Sequence, residues 1–156
     1  MSAEARLAEL GISLPGPFFP HAPLVGAIVH DGVARTSGAL PRDAEGTFPA
    51  TGLCGREVTA AVGAECAGLA TLNALSVLRA EVGSLDAVER ILSLMVYVAC
   101  TGDFIEQPAV ADGASAVLVD VFGDAGRHTR SAIGVAALPR GACVEVELTV
   151  ALRPSP

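Results

Sequence analysis

The order of apolar runs and chain breakers predicts an α+β fold, β-β-α-β-α-β-β, with one mixed sheet and two long helices packed on a single face. Three observations carry that prediction. A proline-free, alanine-rich stretch from about Leu53 to Val82 repeats its apolar residues at helical spacing. The run from Arg90 to Cys100 is rich in strand formers, as a central strand buried on both faces would be. Near the end, Leu138-Pro139-Arg140-Gly141-Ala142 is a turn between two further strand-like runs, His128–Val135 and Val144–Leu148.

Taken in order, residues 2–10 read as a short amphipathic helix stopped at Gly11. Four prolines between Leu14 and Pro23 then make an irregular arm, with Phe18 and Phe19 laid on the domain. Leu24–Val29 and Val33–Thr36 are strands joined at His30-Asp31-Gly32, a hairpin turn of the Asp-Gly kind. Residues 39–53, with Pro41, Gly46, Pro49 and Gly52, are a loop, and the first long helix runs from there to Gly83. Ser84–Val88 is a helical turn, and the central strand follows. Asp103 is placed to cap a second helix, entered at Pro108 and running from Ala109 to about Phe122. The predicted division is therefore a helix and arm over 1–19 and one domain over 20–153.

At 156 residues the chain is one domain by size, and 51% of it is apolar. With five Phe, one Tyr and no Trp, the core must be built from Ala, Val, Leu and Ile. The net charge is −7, and all ten basic residues are arginine. An acidic chain without a basic run lacks the usual footprint for nucleic acid. Cys54, Cys66, Cys100 and Cys143 are scattered with no Cys-x-x-Cys, so they are expected to be inert core thiols rather than a metal site. No charged leader opens the chain, and a soluble cytoplasmic protein without membrane partner is the expectation.

The chemistry is expected in the last two strands. Arg130 is a permanent cation with a fork that matches a carboxylate, and Glu145 is a titratable group on what reads as the neighbouring strand. Glu147 shares a face with Glu145, so alternation alone does not choose between them. His128, beside Arg130, is a candidate base or a structural loop residue, and Arg127 is placed either to widen the anion site or to pair with Asp124. His21 and His30 carry no functional assignment.

Several segments together resemble one family, the reactive-intermediate deaminases (RidA/YjgF, often labelled L-PSP endoribonuclease). They are Ser37-Gly38 with Pro41, the helix containing Asn73 and Leu75, Leu85-Asp86-Ala87-Val88 with Leu94–Val98, and Asp103-Phe104. Arg130-Ser131, Leu138–Ala142 and Val144–Glu147 complete the set, in the family's order, with a fifteen-residue step from Arg130 to Glu145. The resemblance covers about 20–152 and suggests a divergent branch.

What the resemblance implies is a chorismate-mutase-like unit, assembled as a homotrimer around a barrel-like core, with ligand sites in clefts between subunits. It implies hydrolysis of 2-imino or 2-enamino acids to 2-keto acids and ammonia, without cofactor or metal. By the same resemblance Arg130 clamps the substrate carboxylate, Glu145 orients water or exchanges a proton, and the Gly38 backbone meets the leaving nitrogen. Three positions depart from the family: its tyrosine falls on Leu24 or nearby, its cysteine on Ala132 and its asparagine on Ser115 or a neighbour. Those replacements keep a second reading open, a non-catalytic binder of small carboxylates. The endoribonuclease label is the least compatible with the acidic, lysine-free composition.

Overall fold

The computed structural model describes residues 1–154. Its elements are α1 (Ala3–Glu9), β1 (Ala27–His30), β2 (Val33–Thr36), α2 (Ala60–Val82), β3 (Val88–Ala99), α3 (Gln107–Phe122), β4 (Thr129–Val135) and β5 (Val144–Leu152). The predicted β-β-α-β-α-β-β order is the observed one.

The strands form one mixed sheet in the order β1-β2-β5-β3-β4, parallel between β3 and β4 and antiparallel elsewhere. The expected barrel-like core is not there. β1 and β4 each have an unpaired outer edge, so the five strands stay open, and the structure holds one chain, not a trimer. The core lies instead between the sheet and the two long helices. On β5, Val144, Val146, Leu148 and Val150 are buried, while Glu145, Glu147 and Thr149 between them are half-exposed. A period of two thus separates a helix-covered face from an open one. β3 alternates in the same way over Leu94–Val98, so it is not buried on both faces as expected. With helices on one side only, no element among the described residues covers the other side.

α2 begins at Ala60, seven residues later than the periodicity suggests. Leu53–Val58 is closed into a turn in which the Glu57 carboxylate accepts the Leu53 N–H at 2.8 Å and the Gly55 N–H bonds the Val58 carbonyl at 3.0 Å. Gly55 there has φ +91°, which L side chains avoid. Thr59 then caps the helix, its Oγ1 accepting from the Val62 N–H at 3.2 Å. α2 is long and apolar enough to cross a membrane by composition, but its apolarity serves the core: Ala67, Ala70, Ala74, Leu75 and Leu78 are all buried. α2 and α3 approach closely through small residues. A Cβ added at Gly113 would run into the Ala64 backbone, and Val110 packs against Gly63.

Asp103 does not cap α3. That helix starts four residues later, with Glu106 at the cap position, no side-chain cap and Pro108 in its first turn. A proline there removes an N–H that would have no partner anyway, so the helix starts without a capping side chain. At the other end of the chain, α1 is tied into the domain. Leu7 is buried, Glu4 accepts from the Leu85 N–H at 3.0 Å, and the Glu4 N–H donates to Asp86 at 3.0 Å.

Candidate functional site

Two separate clusters hold the residues expected to act together. β3 lies between β4 and β5, so Arg130 and Glu145 are not on neighbouring strands. Arg130 is in register with Leu94, whose side chain is buried on the helix face. Glu145 is in register with Tyr97, on the open face. Within one chain the clamp and the acid are therefore on opposite sides of the sheet.

The Arg130 cluster is built between β4 and α3. Its Nη1 donates to Asp112 Oδ1 at 2.8 Å and to Ser115 Oγ at 3.0 Å. His128 Nδ1 is 2.5 Å from the Gly126 carbonyl, which can only accept, so Nδ1 carries the proton. His128 Nε2 is then an acceptor, and the Ser115 hydroxyl 3.0 Å away donates to it. That leaves the Ser115 lone pairs turned to Arg130. His128 and Ser115 thus aim the guanidinium rather than exchange protons with a ligand. Nε and Nη2 of Arg130 donate to nothing among the described residues, and its side chain is 25% exposed. Two donors remain for an incoming carboxylate. Ala132, two residues on along the same face, is half-buried against the core and offers no polar group. Arg127 pairs with Asp124 at 3.4 Å, as its spacing suggests.

The Glu145 cluster forms where β2 leaves the sheet. Thr36 Oγ1 accepts the Leu148 N–H at 3.1 Å, and Ala39 bridges Val146. Three steps on one strand thus match two on the other, a bulge that swings Gly38 beneath the Glu145 side chain. A Cβ at Gly38 would land on the Glu145 carboxylate, 2.8 Å from Cδ and 3.1 Å from Cγ. Only glycine leaves that carboxylate in place. Burial, followed by the nearby Glu147 charge, pushes the Glu145 pKa up, and Arg42 pulls it partly back. Glu147 itself is held by Arg35, at 2.8 Å from Nε and 2.5 Å from Nη2. The two glutamates that alternation left equivalent are thus distinguished by their partners. Leu24 lies in the segment before β1, 57% exposed, in a shallow groove with Phe19, Pro20 and Val77. It is in neither cluster.

Next to Gly38 is a cavity of about 50 Å³ lined by Phe18, Pro20, Gly26, Ser37, Gly38, Arg42, Asn73 and Val77. The Asn73 amide donates to the Arg42 carbonyl at 2.8 Å and to Leu69 at 2.9 Å, pinning the wall to α2. The Arg42 guanidinium stacks on Phe18 at 3.8 Å. Sequence reasoning missed Arg42, Asn73 and Asp112 as parts of these clusters. One signal was available: Ala-Leu-Pro-Arg occurs twice, at 39–42 and 137–140, and both arginines approach the Phe48 ring, at 6.0 and 5.0 Å.

Cys54, Cys66 and Cys143 are buried and Cys100 half-buried, all four as free thiols. Hydrogen bonding to the Cys54 and Cys66 thiols, with burial, pushes the Cys143 thiol well up. That fits core packing rather than nucleophilic use. No cluster suited to a metal ion exists among the described residues.

Comparison with known proteins agrees with the fold. A family model described as "YjgF/chorismate_mutase-like, putative endoribonuclease" matches residues 4–152. Protein TCP17 of Trypanosoma cruzi is 40% identical over 149 residues, 95% of this chain and 92% of that protein. Among solved structures, Atu1372 of Agrobacterium tumefaciens, described as of unknown function, aligns with a TM-score of 0.89 at 36% identity over 97% of this chain and 92% of that one. A Shewanella oneidensis MR-1 protein described as a "putative endoribonuclease" aligns with a TM-score of 0.92 at 30% identity, over 97% of this chain and 100% of that one. With the match running through both clusters and nearly end to end, the chain belongs to the RidA/YjgF family.

Proposed function

We propose that the protein hydrolyses small 2-imino or 2-enamino acids to 2-keto acids and ammonia, at a site completed by Arg130 of one copy and Glu145 of another. Family membership supports hydrolase chemistry on small metabolites in general. The observation that carries the finer reading is the Glu145 carboxyl, half-buried over Gly38 with its pKa raised by that burial, which suits it to give and take a proton beside a bound ligand. A protonated imine is electrophilic enough that positioning and one proton shuttle suffice. Water adds its oxygen to the imine carbon, the C–N bond breaks, and nitrogen leaves as ammonia once Glu145 has passed it a proton and regained one from the attacking water. Arg130 would hold the carboxylate through Nε and Nη2, the donors its Asp112 and Ser115 contacts leave open.

Opposite faces of one sheet cannot close on one small molecule, so a site that uses both residues needs two copies. The cytoplasm is the proposed location. Ammonia release from a 2-imino acid generated in the assay mixture tests the reading. The wild type should exceed the spontaneous rate, and Arg130→Ala should lose about a hundredfold of that excess. An unchanged spontaneous rate with the wild type would sink the proposal.

One observation favours the second reading, a non-catalytic carboxylate binder. Arg130 is already partly neutralised by Asp112, and Leu24 and Ala132 bring no polar group to the ligand. Binding of a 2-keto acid without turnover of the imine would select it.

A further inference from the structure

The cavity beside Gly38 holds a cation that meets the proposed reaction only through its charge, which offsets part of the rise in the Glu145 pKa. Among the described residues neither Arg42 nor Arg140 has a carboxylate within ion-pair distance, in a chain with 17 acidic residues and 10 arginines. Arg42 is half-buried, and its Nε is shut off from solvent with no acceptor. A buried cationic donor left unpaired is costly, and a second guanidinium nearby adds repulsion. Both arginines are delivered by the repeated Ala-Leu-Pro-Arg segments to the Phe48 ring, at 6.0 and 5.0 Å from its centre. Phe18 of the N-terminal arm covers Arg42. The Ser37 hydroxyl and the Asn73 amide donate to the Val25, Arg42 and Leu69 carbonyls, so the guanidinium is the donor left for a ligand in an otherwise apolar cavity. An anion would relieve both costs at once.

We infer that this cavity is a second anion subsite, in which Arg42, backed by Arg140, holds the distal carboxylate of a dicarboxylic ligand. The inference rests on the reading of Glu145 and Arg130 as the reacting end, and it narrows the substrate class to imino and keto diacids. At about 50 Å³ the cavity admits roughly three to four water-sized groups, which suits a carboxylate with one methylene and not a bulky side chain. Gly38 lies between this cavity and the Glu145 carboxyl, so a short diacid reaching into the cavity would present its other end beside Glu145. The overall charge of −7 repels a dianion, so a local pair of guanidiniums is what accepting one requires.

Calorimetric titration with 2-oxoglutarate, pyruvate and inorganic phosphate tests the inference on the full chain. The wild type should bind 2-oxoglutarate at least tenfold more tightly than pyruvate, as one charge-assisted contact allows. Arg42→Gln should erase that preference while leaving pyruvate within about twofold, Arg42→Lys should recover part of it, and Arg140→Gln, at an exposed turn, should lose about threefold. Equal binding of the two keto acids by the wild type would overturn the subsite. So would 2-oxoglutarate affinity unchanged in Arg42→Gln, or phosphate binding as tightly as the diacid. Arg130→Gln separates the two ideas: if it spares both keto acids while Arg42→Gln still weakens the diacid, the clamp reading fails and the subsite stands.

Discussion

Glu145 and Gly38 illustrate how much one atom decides at the residue scale. Gly38 has no positive φ to protect, so the backbone tolerates alanine there, and the added methyl meets only the mobile end of the Glu145 side chain. Gly38→Ala should therefore shift unfolding stability by less than about 1 kcal/mol yet reduce imine hydrolysis about a hundredfold, because the carboxyl is pushed from its position. A thermal melt beside the ammonia assay checks the pair; activity retained in Gly38→Ala would remove Glu145 from the mechanism. Glu145 also makes a pH prediction. Its folded pKa is raised by burial and by Glu147, so the folded chain binds a proton more readily than the unfolded one. Folding is then opposed increasingly as pH rises from the ordinary glutamate range through the raised value. Glu145→Gln should raise the melting temperature at neutral pH, and the gain should shrink through the ordinary glutamate range and vanish at about pH 3, where the wild type is protonated in both states. The Coulombic setting for that titration is Glu147, held by Arg35, on the same face, and Arg42 on the flanking segment, which Arg140 in turn repels. This level was partly legible. The fifteen-residue step picked out Arg130 and Glu145, but nothing local in the chain says that Asp112 and Ser115 would take up one end of Arg130, or that Arg42 would lack an acid.

At the scale of elements, the alanine and glycine content of α2 and α3 is what brings them together. Gly113 of α3 faces the Ala64 backbone of α2 with no space for a methyl, and Val110 packs at Gly63 and Cys54. Backbone cannot swing aside as a glutamate can. Gly113→Ala should consequently cost about 1–3 kcal/mol by forcing the helices apart, despite the better helix propensity of alanine. A denaturant titration measures it; a stabilised variant would mean that the two helices are not in the register described. Hydrophobic periodicity located both helices because it is set by burial, which alternates along each. It misjudged where α2 begins, since the Leu53–Val58 turn is apolar enough to continue the pattern while Gly55 and the Glu57 carboxylate close it on itself. Asp103 was misjudged as a cap because α3 opens later, at Gln107, where Pro108 in the first turn removes an N–H that would otherwise need a partner.

At the scale of the whole molecule, the order of strands along the chain was readable and their order in the sheet was not. β4 and β5 are consecutive and their connection over residues 136–143 carries turn residues, which suggests a hairpin, but β3 inserts between them and pairs with both. That insertion turns an expected neighbouring pair into residues on opposite faces. It also leaves Tyr97, Glu145 and Ile133 on a face that no helix covers, with Ile133 exposed. The barrel expected from the resemblance is not a property of the chain, whose sheet ends in two open edges. The central claim is that one copy supplies Arg130 and another supplies Glu145. Mixing Arg130→Ala with Glu145→Gln, each inactive alone, tests it most directly after the copies have been dissociated and allowed to reassociate. Sites made from two copies should then recover about a quarter of the wild-type rate of ammonia release, because one chain keeps the clamp and the other keeps the acid. A mixture no more active than its separate components would contradict the shared site.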